Sequence, residues 1–395
     1  MSSFNLQTLI RPNILSLKPY RCARDDFTEG ILLDANENSY GPSLTELNEF
    51  EQQLDLHRYP DPHQIALKQL ICDFRNGEGN PEQSKSLDLP LTPANICLGV
   101  GSDESIDALI RTICQPGKDK LLICPPTYGM YTISSQINDI EVVKVPLNLS
   151  NFELQPEQII DKITNDPTIK LIYITTPGNP TGKLIPWLQI KTILETPNWN
   201  GIVIADEAYI DFTAIGSSVC TLVNKYPNLV TMQTLSKSFG LASIRLGITY
   251  SCVELSTVLN SLKAPYNISS GTAEIAKRAV SKEGVKLMRE NCAKLCENRK
   301  SLIDSLLKFE EVEGLIGGGQ DANFILIKIV DKRTGEADTK LALKIYETMA
   351  TLKGVVVRFR GMELGCDGGL RITVGNEDEN KVLLKQFEEV LNEQK

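Results

Sequence analysis

The stretch NGIVIADEAYIDF, residues 200–212, places an uncharged apolar run directly before Asp206 and Glu207. The run is typical of a buried β-strand, and a carboxylate at the end of such a strand is costly unless it is paired or hydrogen-bonded. Asp206 has no neighbouring cation in the sequence. We therefore expect its partner to be a spatially adjacent residue or a ligand, with Tyr209 on the same side if a helical turn begins there.

The segments around this stretch repeat its pattern of short apolar runs separated by helical patterns. Between residues 95 and 240 the apolar runs stand in NICLGVG, LLICPPTY, EVVKVPL, KLIYITTPGNP and LVTMQTLSKSFG. Such alternation predicts an α/β fold in which helices cover both faces of a parallel sheet. Ligands in that architecture bind at the carboxyl ends of the strands.

The composition of the chain changes near residue 265. GVKLMRENCAKLCENRKSLIDSLLKF reads as a long amphipathic helix, followed by strands in NFILIKI, GVVVRF and LRITVG. A last helix is expected to begin at Asn376, because Glu379 stands three residues later as in a capping box. These features predict a second, smaller α+β domain.

Charge and residue usage exclude several classes of function. The chain has 41 basic and 50 acidic residues, a net charge of -9, so we expect no general attraction to nucleic acid or to an anionic membrane. Two histidines and ten cysteines without a CxxC pair predict no metal site and reduced thiols in a reducing compartment, which we take to be the cytoplasm. The N-terminal residues suit a structural arm better than a signal or transit peptide.

A single lysine, Lys237, interrupts an otherwise uncharged run from Tyr226 to Ile244 in the segment that contains TLSKSFGLASIRLG, residues 234–247. Lysine normally keeps its ammonium group in water. Lys237 is therefore either snorkelling from a helix face or held in place for chemistry. The run alone leaves both interpretations open.

Two further strand ends carry candidate ligand-binding groups. In LGVGSDESIDALIR a glycine turn precedes a helix, and the free amides of Ser102 and Asp103 suit an anion, with Arg245 as a source of positive charge. In TTPGNPTGK the proline that follows Asn179 favours an extended backbone, which would fix its side chain as a hydrogen-bonding group.

Six residues in a fixed order indicate a protein family much more specifically than any one of them alone. In chain order they are Asn179, Asp206, Tyr209, Ser236, Lys237 and Arg245. Over nearly the whole chain the arrangement resembles the aspartate-aminotransferase fold family of pyridoxal-phosphate enzymes. The resemblance implies a three-layer α/β/α large domain with a mostly parallel sheet. It also implies that Lys237 holds the cofactor as a Schiff base and acts as a general acid and base.

The same resemblance implies roles around the cofactor ring. Asp206 would pair with the protonated pyridine nitrogen and keep the ring an electron sink. Asn179 and Tyr209 would hydrogen-bond the ring hydroxyl, and Tyr128 would stack on the ring. The cofactor phosphate would be held by the backbone amides of Ser102 and Asp103 and by the side chains of Ser236 and Arg245.

Further segments bear on the subfamily. LLDANENSYGP, HRYPDP, KAPYNIS, VVVRFRG and LRITVG together are similar to the histidinol-phosphate aminotransferase family. This implies transfer of an amino group between L-histidinol phosphate and 2-oxoglutarate in histidine biosynthesis. In that family the tyrosine of the second segment, here Tyr59, reaches the cofactor phosphate of the other subunit, which implies a homodimer with shared active sites.

The substrates call for arginine, because its planar guanidinium suits both the glutamate carboxylate and the phosphate of the second substrate. The family match gives these roles to Arg371 and Arg358, with Tyr20 and Asn36 from the arm completing the pocket. Arg360 is a rival for Arg358, since strand alternation would place both on the same face.

The resemblance also divides the chain. We expect an N-terminal arm at 1–35 that packs with the small domain, a large cofactor-binding domain at 36–264 and a small domain at 265–395. Two alternatives remain: another pyridoxal-phosphate enzyme of this fold, such as an aromatic aminotransferase or a threonine-phosphate decarboxylase-like lyase, or a non-catalytic sensor of the cofactor. A cofactor sensor that regulates transcription would need a DNA-binding module and a basic patch, and the sequence shows neither.

Overall fold

The computed structural model describes residues 4–18, 43–44, 46–80 and 89–393 of the 395-residue chain. Two of the proposed substrate ligands, Tyr20 and Asn36, lie outside these residues, as does the segment LLDANENSYGP.

A seven-stranded sheet forms the centre of the larger part of the chain. Its strands are β1 Ile96–Val100, β2 Lys120–Ile123, β3 Glu141–Lys144, β4 Ile169–Thr175, β5 Ile202–Asp206, β6 Leu229–Thr234 and β7 Leu246–Tyr250. They lie in the order β1-β7-β6-β5-β4-β2-β3. Neighbours from β3 to β6 are parallel, whereas β7 is antiparallel to both β1 and β6. The predicted mostly parallel sheet is therefore confirmed.

Strand β7 was not among the predicted strands, and it decides how Lys237 is presented. The chain reverses between Thr234 and Leu246, with positive φ at Gly240 (65°) and Arg245 (53°). Thr234 then pairs with Gly247 across the two antiparallel strands. As a result Lys237 and Arg245 belong to one connection at the edge where β6 ends.

Helices cover both faces of this sheet, as predicted. The helices are α1 Leu6–Leu9, α2 Pro12–Leu15, α3 Glu49–Gln52, α4 Ile65–Glu78, α5 Gly101–Ile113, α6 Met130–Ile137, α7 Pro156–Asn165, α8 Trp187–Leu194, α9 Val253–Leu262, α10 Ser270–Ala279, α11 Lys282–Leu306, α12 Thr339–Leu352 and α13 Glu377–Glu393. Alternate strand residues face opposite sides. Ile172 and Val203 pack with α4, α7 and α8, while Leu171 and Ile204 pack with α5, α6 and α9.

The described part of the N-terminal arm packs on the large sheet's helices. Leu9, Ile10 and Ile14 are buried in the same apolar cluster as residues of α5 and α9. The backbone NH of Arg11 also donates to the carbonyl oxygen of Thr112 at 3.1 Å. For residues 4–18 the expectation that the arm packs with the small domain is therefore wrong, because these apolar side chains are buried in the core beside α5 and α9.

A second, antiparallel sheet follows in the chain. Its strands are β8 Val312–Leu315, β9 Phe324–Ile329, β10 Arg358–Phe359 and β11 Gly369–Thr373, in the order β10-β11-β9-β8. Residues of α11, α12 and α13 bury its apolar side chains. The α+β character agrees with the prediction, although β8 was not predicted; the domain boundaries at 35/36 and 264/265 stay a prediction.

Helix α11 joins the two sheets. At one end Met288 and Cys292 pack with Tyr209, Phe212 and Phe324, and farther along the helix Leu302 and Leu306 lie in the core of the second sheet. The predicted apolar stripe of this helix is thus buried. Helix α11 thus packs against residues that follow β5 and against the beginning of β9 in one apolar cluster.

Candidate active site

Three predicted site residues lie at the carboxyl ends of adjacent strands. Asp206 is the last residue of β5, Asn179 follows β4, and Lys237 follows β6. Because these strands run parallel and next to one another, their ends share one edge of the sheet.

Asp206 is a carboxylate without an ion pair in the described part of the chain. It is 4% exposed, and its oxygens accept hydrogen bonds from the Tyr131 hydroxyl at 2.7 Å and from the Ala208 backbone NH at 3.2 Å. Burial raises its pKa to about 6, although these two donors oppose the shift. A cation at this position would therefore be favoured.

Tyr131 is a site residue that the sequence analysis missed. Its ring is fully buried and stacks on Tyr173, with centroids 4.6 Å apart. It follows Tyr128 by three residues at the start of α6, and its ring meets that of Tyr128 edge to face at 5.7 Å. The spacing of the two tyrosines, which suits one face of a helix, is the signal that could have identified it.

Lys237 is half-buried, and its Nζ lies 5.6 Å from the centroid of the Tyr209 ring. Burial lowers its pKa, and the charges of Arg371 and Arg245 lower it further, against the opposing effect of Asp103 and Asp206. The amine is therefore more readily neutral, and nucleophilic, than that of a solvated lysine. This environment favours the chemical interpretation of Lys237 over snorkelling.

Tyr209 lies beside Lys237, as the sequence suggested. Its ring is buried and meets Phe324 edge to face at 5.1 Å. Burial raises the pKa of its hydroxyl to about 12, which keeps it a hydrogen-bond donor at neutral pH.

A cradle for an anion forms where α5 begins. Gly101, the first residue of α5, has φ of 73°, and its NH donates to the carbonyl oxygen of Arg245 at 2.9 Å. A Cβ at Gly101 would lie 2.6 Å from the Arg245 guanidinium, and one at Gly247 would overlap the backbone of Gly101. The two glycines thus allow the helix amino terminus, which attracts anions, to approach Arg245 closely.

The other predicted phosphate ligands border this cradle. Ser102 and Asp103 lie in the first turn of α5, and the Arg245 guanidinium is 3.7 Å from the Asp103 carboxylate. The Ser236 hydroxyl accepts a hydrogen bond from Thr234 Oγ1 at 2.9 Å, which orients it at the end of β6.

Tyr128 connects the cradle with the Asp206 side. Its hydroxyl donates to an Asp103 carboxylate oxygen at 3.1 Å, and burial raises its pKa. Through Tyr131, which touches both Tyr128 and Asp206, one side of the site is lined by aromatic rings.

The second sheet contributes Arg371 to the site. One guanidinium nitrogen donates to Asn179 Oδ1 at 2.6 Å, and the guanidinium lies 5.2 Å from the Phe324 ring centroid. Burial, with the neighbouring charge of Arg360, lowers the pKa of Arg371. Arg358 is paired with Arg371 across β10 and β11 but is exposed.

Arg360 lies in a cavity of about 470 Å³ together with Tyr128 and Asn179. Tyr59 is not placed among these residues; it is 52% exposed, and its ring stacks on Tyr266 with centroids 4.6 Å apart. The role of Tyr59 in the site of another subunit stays a prediction.

A polar network behind the site was also missed, since its partners are distant in sequence. Glu207 accepts hydrogen bonds from the Ser218 hydroxyl, the Val219 NH and the Gln233 amide at 2.6–2.8 Å. Burial raises its pKa to about 7, against the effect of these donors. The network fixes β5 and β6 immediately behind Asp206.

Asp211 is hydrogen-bonded to Ser238, the residue that follows Lys237. Its carboxylate accepts from the Ser238 hydroxyl at 2.7 Å and from the Arg75 guanidinium at 2.8 and 3.3 Å. Arg289 of α11 donates to the same carboxylate at 3.3 Å. Ser238, and with it the connection that carries Lys237, is thereby tied to α4 and α11.

The arrangement fits pyridoxal phosphate on the chemistry of its donor groups. A lysine with a lowered pKa suits covalent attachment of an aldehyde, a buried carboxylate without a cation suits a protonated ring nitrogen, and the cradle suits a phosphate. All three lie along one edge of the sheet.

Comparison with known proteins agrees with this geometry. The family model "Aminotransferase class I and II" matches residues 28–387. The chain is 54% identical over 392 residues to the histidinol-phosphate aminotransferase of Candida maltosa, covering 99% of each chain. It is 51% identical over 391 residues to that of Saccharomyces cerevisiae, covering 98% of each chain.

Solved structures share the fold. The histidinol-phosphate aminotransferase of Clostridium acetobutylicum matches with a TM-score of 0.72 at 24% identity, over 88% of this chain and 94% of its own. The one from Sinorhizobium meliloti, in complex with pyridoxal-5'-phosphate, matches with a TM-score of 0.74 at 19% identity, over 91% and 90%. L-threonine-O-3-phosphate decarboxylase from Porphyromonas gingivalis also matches, with a TM-score of 0.65 at 18% identity, over 85% and 91%. At these identities the likeness concerns the fold alone.

Proposed function

The chain belongs to the class I and II aminotransferase family, and from that premise we propose that it acts on L-histidinol phosphate and 2-oxoglutarate. The products are 3-(imidazol-4-yl)-2-oxopropyl phosphate and L-glutamate, in histidine biosynthesis. The observation that carries the proposal is a half-buried lysine with a lowered pKa beside a buried carboxylate, in a chain 54% identical to a histidinol-phosphate aminotransferase over nearly its whole length.

The described residues would hold pyridoxal phosphate at four points. Lys237 would hold it covalently, Asp206 would pair with the ring nitrogen, Asn179 and Tyr209 would hydrogen-bond the ring hydroxyl, and Tyr128 would cover the ring. The phosphate would lie in the cradle formed by Ser102, Asp103, Ser236 and Arg245. When bound, the cofactor stabilises the electron pair that remains at the substrate α-carbon after loss of a proton.

Lys237 is the group that we assign to proton transfer. Its pKa is lowered by burial and by Arg371 and Arg245, so the neutral amine needed by a general base is favoured. Nζ would accept the proton from the substrate α-carbon and later return one as a general acid. Ser238 positions this amine, because its hydroxyl is bound to Asp211.

Arg371 would orient the substrate. Its guanidinium is fixed by Asn179 and by the Phe324 ring, which leaves the planar fork in one orientation. Such a fork binds a carboxylate through two parallel hydrogen bonds, and it also binds phosphate. Glutamate and histidinol phosphate can thus place their anionic groups at the same residue.

We also propose a cytoplasmic homodimer in which Tyr59 of one protomer completes the partner's site. Support comes from the exposure of Tyr59 and its stacking on Tyr266 instead of on its own site. Within the described ranges, no helix is long and apolar enough to cross a membrane. Mixing Lys237→Ala with Tyr59→Ala subunits tests the shared site: hybrids should regain activity that both parent dimers lack, and no recovery would contradict it.

The absorption spectrum of the purified protein with bound cofactor tests the reaction. Adding L-histidinol phosphate without a keto acid should remove the visible band, and 2-oxoglutarate should restore it. A band that responds to glutamate but ignores histidinol phosphate would keep the aminotransferase and discard this substrate. Release of carbon dioxide without any need for 2-oxoglutarate would indicate a decarboxylase.

A further inference from the structure

The turn that carries Asn179 is closed by its own backbone. The NH of Gly182 donates to the carbonyl oxygen of Gly178 at 2.8 Å, and the NH of Gly178 donates to the carbonyl oxygen of Lys183 at 2.9 Å. Residues 178–183 therefore form one unit. A shift of the turn at Gly182 would also shift Asn179.

The connection between β8 and β9 docks on this turn through Asp321. The NH of Asp321 donates to the carbonyl oxygen of Gly182 at 2.7 Å, and its Oδ2 accepts from the NH of Leu184 at 2.8 Å. A hydrogen bond to a carboxylate is about twice as strong as one between neutral groups. We call the contact of residues 319–321 with residues 181–184 the intersheet contact.

Gly319 allows the two backbones to approach closely at this contact. A Cβ at Gly319 would lie 2.1 Å from the carbonyl oxygen of Thr181 and 2.7 Å from the carbonyl carbon of Gly182. A glycine leaves room for such an approach, and any side chain would fill it. Because backbone meets backbone there, the second sheet rests on the turn without an adaptable side chain between them.

The same connection leads directly to the strands that carry Arg371. Phe324, three residues after Asp321, begins β9, and Leu326 of that strand pairs with Arg371 of β11. The Arg371 guanidinium donates to Asn179 Oδ1 at 2.6 Å and lies 5.2 Å from the Phe324 ring centroid. The second sheet thus meets the turn twice, at Asp321 and at Arg371.

We propose that Asp321 is a positioning residue for substrate binding, because it fixes the second sheet on the turn and so sets the place of Arg371 relative to Asn179. The assignment rests on the proposed function, in which Arg371 orients the substrate anion. Arg371 and Asn179 belong to different sheets. A small separation of the sheets would therefore move the guanidinium away from the anion, although Arg371 itself is intact.

The effect of Asp321 is expected in substrate binding and not in proton transfer. Lys237 and Asp206 follow or end strands of the large sheet, and the intersheet contact includes neither of them. The amine of Lys237 would keep its surroundings when the second sheet shifts. Once substrate is bound, turnover should proceed at nearly the ordinary rate.

Two substitutions of Asp321 in the holoenzyme test the assignment, with the two half-reactions followed separately. Asp321→Ala removes the acceptor for the Leu184 NH, whereas Asp321→Asn keeps a carbonyl oxygen there. For Asp321→Ala we expect the KM for glutamate and for histidinol phosphate to rise about tenfold, with kcat within about threefold. Asp321→Asn should recover most of the loss. Unchanged KM values in Asp321→Ala, or a fall in kcat alone, would overturn the assignment.

Asp338→Ala is the matched control for loss of stability. Its carboxylate also accepts from a backbone NH at 2.8 Å, that of Leu341, but it caps α12 and has no hydrogen bond to the turn within the described ranges. Both alanine variants should unfold at lower denaturant concentration than wild type. Only Asp321→Ala should change the KM values, and an equal rise in both variants would leave Asp321 a structural residue.

A double-mutant cycle with Arg371→Lys tests whether Asp321 acts through Arg371. Lysine keeps the charge but loses the planar fork of the guanidinium. In that background Asp321→Ala should lower kcat/KM for glutamate by less than about twofold, against about tenfold in the wild-type background. Losses that multiply would show that Asp321 acts independently of Arg371 and would contradict the proposal.

Gly319→Ala disturbs the intersheet contact without removing a side-chain hydrogen bond. Its φ is -70°, which alanine adopts readily, so the overlap with Thr181 is the expected cause of any effect. The KM values should rise as in Asp321→Ala. Gly77→Ala is the control, because a Cβ at Gly77 meets nothing within 4 Å. Ordinary KM values in Gly319→Ala would contradict the importance of the close approach.

Glutamate separates failure of this inference from failure of the proposed function. If wild type reacts with glutamate but not with histidinol phosphate, the proposed substrate is wrong, and the KM for glutamate still tests Asp321. If wild type and Asp321→Ala react equally well with both substrates, the proposed function stands and the role of Asp321 is wrong.

Discussion

Two groups of charged residues lie on either side of the end of β5, and they are paired very differently. Behind it, Asp211 is bound by the guanidinium groups of Arg75 and Arg289 and by the Ser238 hydroxyl. In front of it, Asp206 has only the hydrogen bonds of Tyr131 and Ala208 and no ion pair in the described ranges. The two carboxylates are only five positions apart in the chain.

The contrast distinguishes charges that hold the fold from charges kept for a ligand. A buried carboxylate that is paired with two cations is satisfied. Its removal leaves the buried cations with one partner fewer, which destabilises the protein. A buried carboxylate without a cation lowers the stability of the folded protein, and a bound cation would offset that loss. Lys237 is linked to both groups, because the neighbouring Ser238 is hydrogen-bonded to Asp211 and the charge of Asp206 acts on the pKa of the Lys237 amine.

The largest effect is expected at Lys237. Lys237→Ala should lower activity by about 10⁴-fold or more, because the variant loses both covalent attachment and the proton-transferring amine. Turnover with histidinol phosphate and the visible spectrum after adding pyridoxal phosphate would measure this. The free energy of unfolding should change little, since the amine has no ion pair within the described part of the chain.

Lys225→Ala is the matched control for this variant. Lys225 is an exposed lysine whose Nζ lies 5.6 Å from the Tyr226 ring centroid, the same distance as between Lys237 and Tyr209. Its loss should leave turnover unchanged. Normal turnover by Lys237→Ala would show that Lys237 neither attaches the cofactor nor transfers the proton.

Asp211→Asn should produce the largest loss of stability. Arg75 and Arg289 would keep their charges in a buried place with one carboxylate fewer, at a cost of about 3 kcal/mol in the free energy of unfolding. Denaturant unfolding of the cofactor-free protein would measure it. Asp331→Asn, which breaks an exposed pair with Arg333, is the control and should show no measurable change.

The ionic network makes a second, kinetic prediction for the same variant. If Asp211 positions Lys237 through Ser238, the pH dependence of kcat should shift in Asp211→Asn, which a purely structural residue would not cause. Loss of stability with an unchanged pH profile would limit Asp211 to holding the fold.

Asp206→Asn should have the opposite effect on stability, which makes it the sharpest test of the comparison. The pKa of Asp206 in the folded protein is about 6, above the ordinary value of 3.8. Its contribution to stability is therefore full below about pH 4 and is lost as the pH rises through 6. At pH 8 the cofactor-free variant should be more stable than wild type by about 2 kcal/mol, and this gain should vanish at low pH.

Cofactor binding should reverse that ranking. The carboxylate of Asp206 is expected to stabilise bound pyridoxal phosphate, so Asp206→Asn should release the cofactor more readily and turn over slowly. Thermal unfolding with and without the cofactor, at pH 5 and pH 8, would show both effects. A variant less stable than wild type at pH 8 without cofactor would show that Asp206 belongs with the satisfied group.

The sequence predicted that Asp206 ends a buried strand at the ligand-binding edge, but it predicted neither Tyr131 in front of it nor the ionic network behind it. Asp206 and Asn179 could be singled out because each stands at the end of an apolar strand, and the ends of parallel strands meet at one edge, whereas Lys237 was singled out as a lone charge in an uncharged run. Strand β7 was missed because its five residues follow the connection of Lys237 closely, so that the reversal at Gly240 and Arg245 was not recognised.

The missing residues share one physical property. Tyr131 meets Asp206 across 75 positions and Arg75 meets Asp211 across 136, so neither pair leaves a local pattern in the sequence. Periodicity reports which face of an element is buried, but it does not report which polar groups meet there. The alternation near β10 likewise predicted two arginines on one face. In the structure they differ, because Arg360 lines the cavity and Arg358 does not.

The smallest effect, at Tyr131, decides whether the front group is prepared by the protein alone. Tyr131→Phe removes the hydroxyl that donates to Asp206 at 2.7 Å and leaves the stacked ring in place. Because that hydrogen bond lowers the pKa of Asp206, its loss should raise the pKa further and weaken cofactor binding by about 1 kcal/mol. Cofactor titration across pH 5 to 9 would measure it: the difference from wild type should be largest near neutral pH, where protonation of Asp206 is then more favourable. Equal affinity at every pH would mean that the cofactor's own ring nitrogen, and not Tyr131, keeps the carboxylate ionised.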